Sequence, residues 1–362
     1  MNKTPLYEKH IELNAKLVDF ADYTMPIQYS GITKEHLAVR ESAGIFDVSH
    51  MGEIIISGNG AEEFLEYITI NDISSLEPWQ VQYSAMCFED GGIVDDLLIY
   101  KYPDYFMLVV NCSNTAKDFD WLMAHKPKDV NIIDLSQKIG LIALQGPKSR
   151  EILNQIIDID INKLKFYRFE IANFDNFSCT VSRTGYTGEL GYEIYADNEN
   201  IVHIWDFIMT AGSDIIQPAG LGCRDTLRLE MKYTLYGNDI DDNTNPIEAG
   251  LGWITKLNKK NNFIGKDTLE KINNSLDQFL VCIKMVDRGI PRKDYELLCN
   301  GEIVGKITSG TQSPTLNSGI GLGYVQKIYS KIGTELEMLV RGKKLKCKIV
   351  KPPFYRKGSL KN

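Results

Sequence analysis

From about residue 278 onward the sequence turns to nearly unbroken strand pattern, with Asn300-Gly301 and Arg341-Gly342 set between strand-like runs. Two neighbouring residues that accept positive φ make the tight turn that suits the twist of paired strands. A chain with such a tail must close a separate β domain of roughly 85 residues behind a body of roughly 270, both within common domain sizes. The polar, helical stretch Lys266 to Ser275 marks the approach to it.

The body mixes helix and strand periods, so its class is α+β. Thr4-Pro5 offers a cap and a proline at the first helical position, and Leu6, His10, Leu13 and Leu17 share one helical face. Residues 44 to 57 end in a strand at Glu53 to Ile56, and residues 61 to 70 form a helix with Phe64, Leu65 and Ile68 inward. Val94 to Tyr102 and Tyr105 to Val110 pair around a turn at Pro103-Asp104. A helix follows from Asn114, with Phe119, Leu122 and Met123 as its apolar face. The strand Ile139 to Leu144 runs through Gln145-Gly146-Pro147 into another helix. Residues 165 to 196 alternate like strands around a Gly-rich turn, and helices return at 199 to 211 and 222 to 233.

Several function classes fall away on composition. The 362 residues carry a formal net charge of −8, so no basic face for nucleic acid is expected. The seven cysteines show no C-x-x-C pair and read as reduced, buried thiols of a reducing compartment, hence a cytoplasmic location. The five histidines lack paired metal-ligand spacing, so no metal is expected. The N-terminus has no signal-peptide pattern, and no run approaches the ~18 apolar residues of a membrane span.

Three segments could carry chemistry. In Gly91-Gly92-Ile93-Val94-Asp95-Asp96-Leu97 two adjacent acids interrupt an apolar strand. Alternation sends them to opposite faces, so one can enter a cleft while the other meets solvent. A strand-start turn with two solvated acids is the plainer alternative. In Ser182 to Glu193 three glycines permit a tight path and close ligand approach, flanked by Arg183, Glu189, Glu193 and two tyrosines. A carboxylate there could accept paired N–H donors such as the amide and amino edge of a pterin. A long hairpin loop with surface charges fits equally. In Pro218 to Glu230 a loop enters a helix, and Arg224 and Arg228 share a face. Either could serve an anion or pair internally, Arg228 being the more structural. Cys223 has no histidine near in sequence to make it a nucleophile. Tyr83, Tyr100, Tyr186, Tyr233 and Trp253 sit beside these motifs and could flank a planar ligand, or simply fill cores.

Taken in order, the motifs resemble the glycine cleavage T-protein family from end to end. They include Thr4-Pro5-Leu6, Phe46 to Gly52, Gly91 to Leu97, Leu144-Gln145-Gly146-Pro147, Thr184 to Glu189, Gly222 to Glu230, Leu235-Tyr236-Gly237, Asn245-Pro246 and Thr308-Ser309-Gly310 with Ser313 to Leu316. The resemblance implies a three-domain cloverleaf with a central folate channel and a barrel-like C-terminal domain. Residues 1–50 with 140–240 would form the folate-binding α+β domain, 51–139 with 241–275 a ferredoxin-like α+β domain, and 276–362 the β-rich domain. It implies tetrahydrofolate as co-substrate, with Asp96 near N10 and Asp95 turned away. Glu193 would hold the pterin edge and Arg224 would contact the folate. Tyr83, Tyr100, Asn111 and Tyr186 would line the channel, and Met51, Tyr233 and Trp253 are weaker transfers.

The implied reaction takes the methylene carbon from an S-aminomethyl-dihydrolipoyl carrier, the H-protein, and releases ammonia. That places the chain beside glycine decarboxylase and dihydrolipoyl dehydrogenase. Folate-dependent demethylases and a non-catalytic branch that assists iron–sulfur assembly are similar. That branch carries Lys-Gly-Cys-Tyr-x-Gly-Gln-Glu where this chain has Arg183 to Glu189. No ligand contact is expected from Tyr355 to Asn362.

Overall fold

Asn300 (φ 52°) and Gly301 (φ 88°) both take the left-handed region, and their turn pairs Glu296–Cys299 with Glu302–Ser313. Arg341 (φ 49°) and Gly342 (φ 79°) do the same for Glu335–Val340 and Lys343–Val350. Together with Gln278–Met285 and Ser318–Gln326 these strands close a six-stranded barrel around Ile283, Leu297, Ile307, Val325 and Met338. Closure removes the unpaired edges that an open sheet would leave. The computed structural model describes residues 1–361.

Two sheets make up the body. The first orders its strands Phe169–Phe174, Phe177–Ser182, Gly191–Asp197, Ile139–Gln145, Ala43–Asp47 and Ile216–Pro218. Only the last pairing is parallel. The helix Asn198–Ala211 covers one face with Ile201, Ile204, Trp205 and Ile208. The second sheet orders Gln80–Cys87, Ile93–Lys101, Tyr105–Val110, Gly52–Ser57 and Asn131–Asp134. The helix Ala61–Ile68 packs Phe64, Leu65 and Ile68 against it. The remaining faces of the two sheets meet through Phe46, Leu141 and Tyr195 on one side and Tyr100, Met107 and Val109 on the other. Residues 240–269 supply Ile240, Leu251, Ile254 and Phe263 to a further core with Ile70, Ala85 and Ile93.

A buried ionic cluster ties the barrel to the body. Arg40 donates to Glu189 Oε1 at 2.9 Å and to Glu230 Oε2 at 2.8 Å, and Glu230 also accepts from Ser313 of the barrel. Burial lowers the His36 imidazole pKa, opposed by its bond to Glu230, whose own pKa is held down to about 2. Ser359 donates to Glu189 Oε2 at 2.6 Å, so the C-terminal tail is part of this joint.

Some sequence expectations change. The first helix spans only Tyr7–Glu12, because Asn14 turns left-handed (φ 54°) and Leu17 joins the strand Lys16–Phe20. The Thr4 hydroxyl bonds Asp47 at 2.6 Å instead of capping that helix. The helix Thr115–His125 packs Leu122 and Phe119 on the core as expected, but buries Asp118 and leaves Met123 44% exposed, so its inner face is shifted toward Asp118. Gly185 and Gly191 lie against the Gln145 side chain, where an added Cβ would come within 2.1 and 2.4 Å of its atoms. Those glycines serve packing within the protein.

Candidate active site

Strand Ile93–Lys101 sends Leu97 and Ile99 to the helix-covered face and Leu98 and Tyr100 to the face between the sheets. By the same alternation Asp96 faces the inter-sheet side and Asp95 the helix side. Just before the strand a loop passes close to Gly92, where an added Cβ would lie 2.0 Å from the Asp242 carbonyl oxygen. Asp96 is half-buried, and two donors fix its carboxylate. Tyr83 Oη donates to Oδ2 at 2.9 Å, and Asn111 Nδ2 donates to Oδ1 at 2.8 Å. Burial and the neighbouring charge of Asp95 raise its pKa to about 7, opposed by the Tyr83 and Asn111 bonds. A carboxyl poised near neutrality can present charge to a cation or exchange a proton.

Asp95 does not reach solvent. It is fully buried and accepts from the Asn111 backbone N–H at 3.0 Å, Asn111 Nδ2 at 2.8 Å and Asn114 Nδ2 at 2.6 Å. Neither acid of the pair is therefore the solvated one that strand alternation alone allows. The Asn111 amide bridges both carboxylates from the end of strand Tyr105–Val110.

Glu193 projects from Gly191–Asp197 and is buried with Thr184 as a hydroxyl donor. Burial raises its pKa, and Thr184 and the Arg224 charge oppose that shift. Tyr100 is wholly buried, with its hydroxyl 2.9 Å from that of Tyr195 and 3.3 Å from Thr184 Oγ1. It stands behind Glu193 and holds this hydroxyl chain. Arg224, on helix Leu221–Glu230, lays its guanidinium 4.7 Å over the Tyr186 ring. Burial lowers its pKa while Glu193 favours its charge. Arg228 on the same face is saturated, with Asp225, Asp239, the Tyr233 carbonyl and Ser309 as partners. Of the two arginines, Arg224 is the one with donors to offer. Cys223 between them is fully buried, and burial lifts its thiol pKa well above the usual range, which leaves no thiolate nucleophile.

Aromatic rings join these groups. Tyr83 stacks on Trp253 at 6.0 Å and 29° between planes, and Tyr186 stacks on Tyr233 at 5.5 Å and 21°. The Tyr186 hydroxyl donates to the Thr234 carbonyl. Trp253 is 64% exposed and lines a groove of about 570 Å³ with Asp72, Lys256 and Asn258. Met51 is half-buried at the edge of the inter-sheet core. Tyr83, Asp96 and Asn111 thus form one hydrogen-bonded group, and Arg224 lies over Tyr186 within the field of Glu193. Met51 takes no hydrogen-bonding part through its side chain.

Thr184, Tyr195, Asn114 and Asp118 were missed in the sequence. Thr184 could have been found as the hydroxyl opening the Gly-rich turn two residues from strand Phe177–Ser182. The others lie in runs whose patterns look ordinary. Among the described residues no group of three His, Cys, Asp or Glu side chains is arranged to hold a metal ion, and no helix is long and apolar enough to cross a membrane.

Residues 6–259 match the family model described as the GCVT N-terminal domain, and residues 279–356 match the glycine cleavage T-protein C-terminal barrel domain. An aminomethyltransferase of Halothermothrix orenii is 47% identical over 357 residues, covering 98% of this chain and 100% of that protein. One from Bacteroides fragilis is 48% identical over 359 residues, with 98% and 99% covered. The crystal structure of glycine cleavage system aminomethyltransferase T from Bartonella henselae matches with a TM-score of 0.91 at 34% identity over 99% of each chain.

Proposed function

The chain belongs to the glycine cleavage T-protein family and is an aminomethyltransferase, and on that premise we propose that Asp96 is the carboxylate around which the one-carbon transfer is organised. The co-substrate is tetrahydrofolate. The donor is an S-aminomethyl-dihydrolipoyl arm carried by an H-protein. Folate N5 bonds to the methylene carbon as the carbon's bonds to sulfur and to nitrogen break in turn. N10 then closes the ring. The two protons lost from N5 and N10 are taken up by the freed thiolate and by the departing amine, which leaves as ammonia.

The protein's share of this is orientation and electrostatics. Asp96 is fixed from both oxygens by Tyr83 and Asn111, so its charge is aimed before the substrate arrives. That charge would stabilise the iminium-like carbon and orient N10. Glu193, held by Thr184, would accept the paired N–H donors of the pterin. Arg224, free of any ion pair among the described residues and stacked on Tyr186, would donate to the folate. Tyr83, Tyr100, Asn111, Tyr186, Tyr233, Met51 and Trp253 would border the channel, Tyr100 through the hydroxyl chain behind Glu193.

The single observation that supports this most is a half-buried, doubly clamped carboxylate whose pKa lies near neutrality beside stacked rings. Asp96→Asn keeps the shape and removes the charge. Ammonia release from the aminomethylated carrier, measured with and without tetrahydrofolate, should depend on folate in the parent and fall by at least about a hundredfold in the variant. Turnover that survives nearly intact removes Asp96 from this role.

A further inference from the structure

On the far side of strand Ile93–Lys101 from Asp96 lies a second pair of acids. Asp118, from helix Thr115–His125, is fully buried, and its carboxyl faces that of Asp95 on the covered side of the strand. Among the described residues no N–H or O–H reaches either Asp118 oxygen. Two ionised carboxylates facing each other repel, and a buried carboxylate with no donor is costly, so one of the two must be an acid. The amide donors decide which. Asp95 accepts from the backbone and side chain of Asn111 and from Asn114, whereas Asp118 accepts from none. Asp95 is therefore the charged partner and Asp118 the acid.

We propose that Asp118 is a positioning residue that keeps its proton in the working enzyme, donates it in a hydrogen bond to Asp95, and so holds the pair at one negative charge. Asn111, which bridges Asp95 and Asp96, then stays in the orientation that clamps the catalytic carboxylate. A second charge behind the strand would add to the repulsion that Asp96 already meets from Asp95. The other charged or titratable groups facing Asp118 are Lys117, Asp96 and Tyr236. Lys117 is turned to the Val94 carbonyl at 2.6 Å and to the Tyr236 hydroxyl at 2.8 Å. Burial and the Asp95 charge push Asp118 up to about 11, against the opposing charge of Lys117, which keeps the proton in place across the neutral range.

The kinetic consequence rests on Asp96 serving the transfer, but the proton itself does not, and the two can be tested apart. Infrared difference spectra of the full chain, parent against Asp118→Asn at about pH 8, should show a carboxylic-acid carbonyl band that the variant lacks. The same band should be lost when Asp118→Asn is made in an Asp96→Asn background, which separates it from Asp96. Asp118→Leu should lower kcat about tenfold, with the tetrahydrofolate KM within about twofold and the acid limb of the rate profile moved to higher pH. Asp118→Asn supplies an N–H in place of the O–H and should restore kcat and the limb. Absence of the band, or an acid limb moved to lower pH by Asp118→Asn, overturns the proposal. Equal rates and limbs in parent and Asp118→Leu overturn it as well. If Asp118→Leu does not fold, the band and the Asp118→Asn profile still decide. A band that is present while Asp96→Asn retains full turnover refutes the role of Asp96 and leaves the buried proton standing.

Discussion

Tyr83→Phe removes one hydroxyl and keeps the ring that stacks on Trp253. The lost bond is the 2.9 Å contact from Tyr83 Oη to Asp96 Oδ2. A hydrogen bond to an ionised group is worth about 1.5–3 kcal/mol, and 1.36 kcal/mol is one pKa unit, so the carboxyl should rise by about 1–2 units. Partial exposure of Asp96 favours the lower end of that range. Starting from about 7, the new value is roughly 8–9. The charged form is the one that serves the transfer, so its population at pH 7 falls from about half to a few per cent. The rate of folate-dependent ammonia release at pH 7 should drop roughly tenfold and recover as the pH rises past about 9. The assay is the initial rate from about pH 6 to about pH 10 at saturating tetrahydrofolate. A profile that keeps its acid limb, or falls equally at every pH, would show that this bond does not set the charge of Asp96.

The same site should cost stability. Asp96 has a folded pKa of about 7 against an ordinary 3.8, so protonation favours the fold at low pH, and that advantage is lost as the pH rises from 3.8 through 7. Asp96→Asn should therefore melt higher than the parent at about pH 8, by the equivalent of about 1–3 kcal/mol, with the gap closing near pH 4; an equal or lower melting point at pH 8 contradicts the raised pKa. Glu193→Gln should weaken tetrahydrofolate binding at least about tenfold by titration calorimetry while Asp96→Asn leaves it within about threefold, and the reverse order would exchange their assignments. Arg40→Met leaves Glu189 and Glu230 buried without their cation and should destabilise by about 3–5 kcal/mol in thermal unfolding; a loss below about 1 kcal/mol would mean the cluster relaxes or takes up protons freely.

Local rules carried the barrel and the hairpins. Asn300-Gly301, Arg341-Gly342 and Pro103-Asp104 each specify a turn by their own backbone preferences, and each pairs the strands expected of it. The acids of strand Ile93–Lys101 were legible as a pair on opposite faces, since alternation depends only on spacing. What spacing cannot say is what lies over each face. Asp95 looked free to meet solvent, yet helix Thr115–His125 covers it and brings Asp118 onto it. Asp118 was hidden because Met123 drew the inward stripe away from it, and an acid on a helix ordinarily faces water. Arg40, Glu189 and Glu230 were beyond reach for another reason: the pairs span 149 and 190 residues, and no periodicity links them. The glycines of residues 185–191 were read as room for a ligand, whereas Gly185 and Gly191 make room for Gln145 and Gly188 for Met231.

The most direct measurement is a structure with tetrahydrofolate bound. The expected result is the Asp96 carboxylate within about 3 Å of N10, with Glu193 on the pterin edge and Arg224 in contact with the folate. Ring nitrogens facing some other carboxylate, or a folate that touches neither Asp96 nor Arg224, would contradict the role given to Asp96.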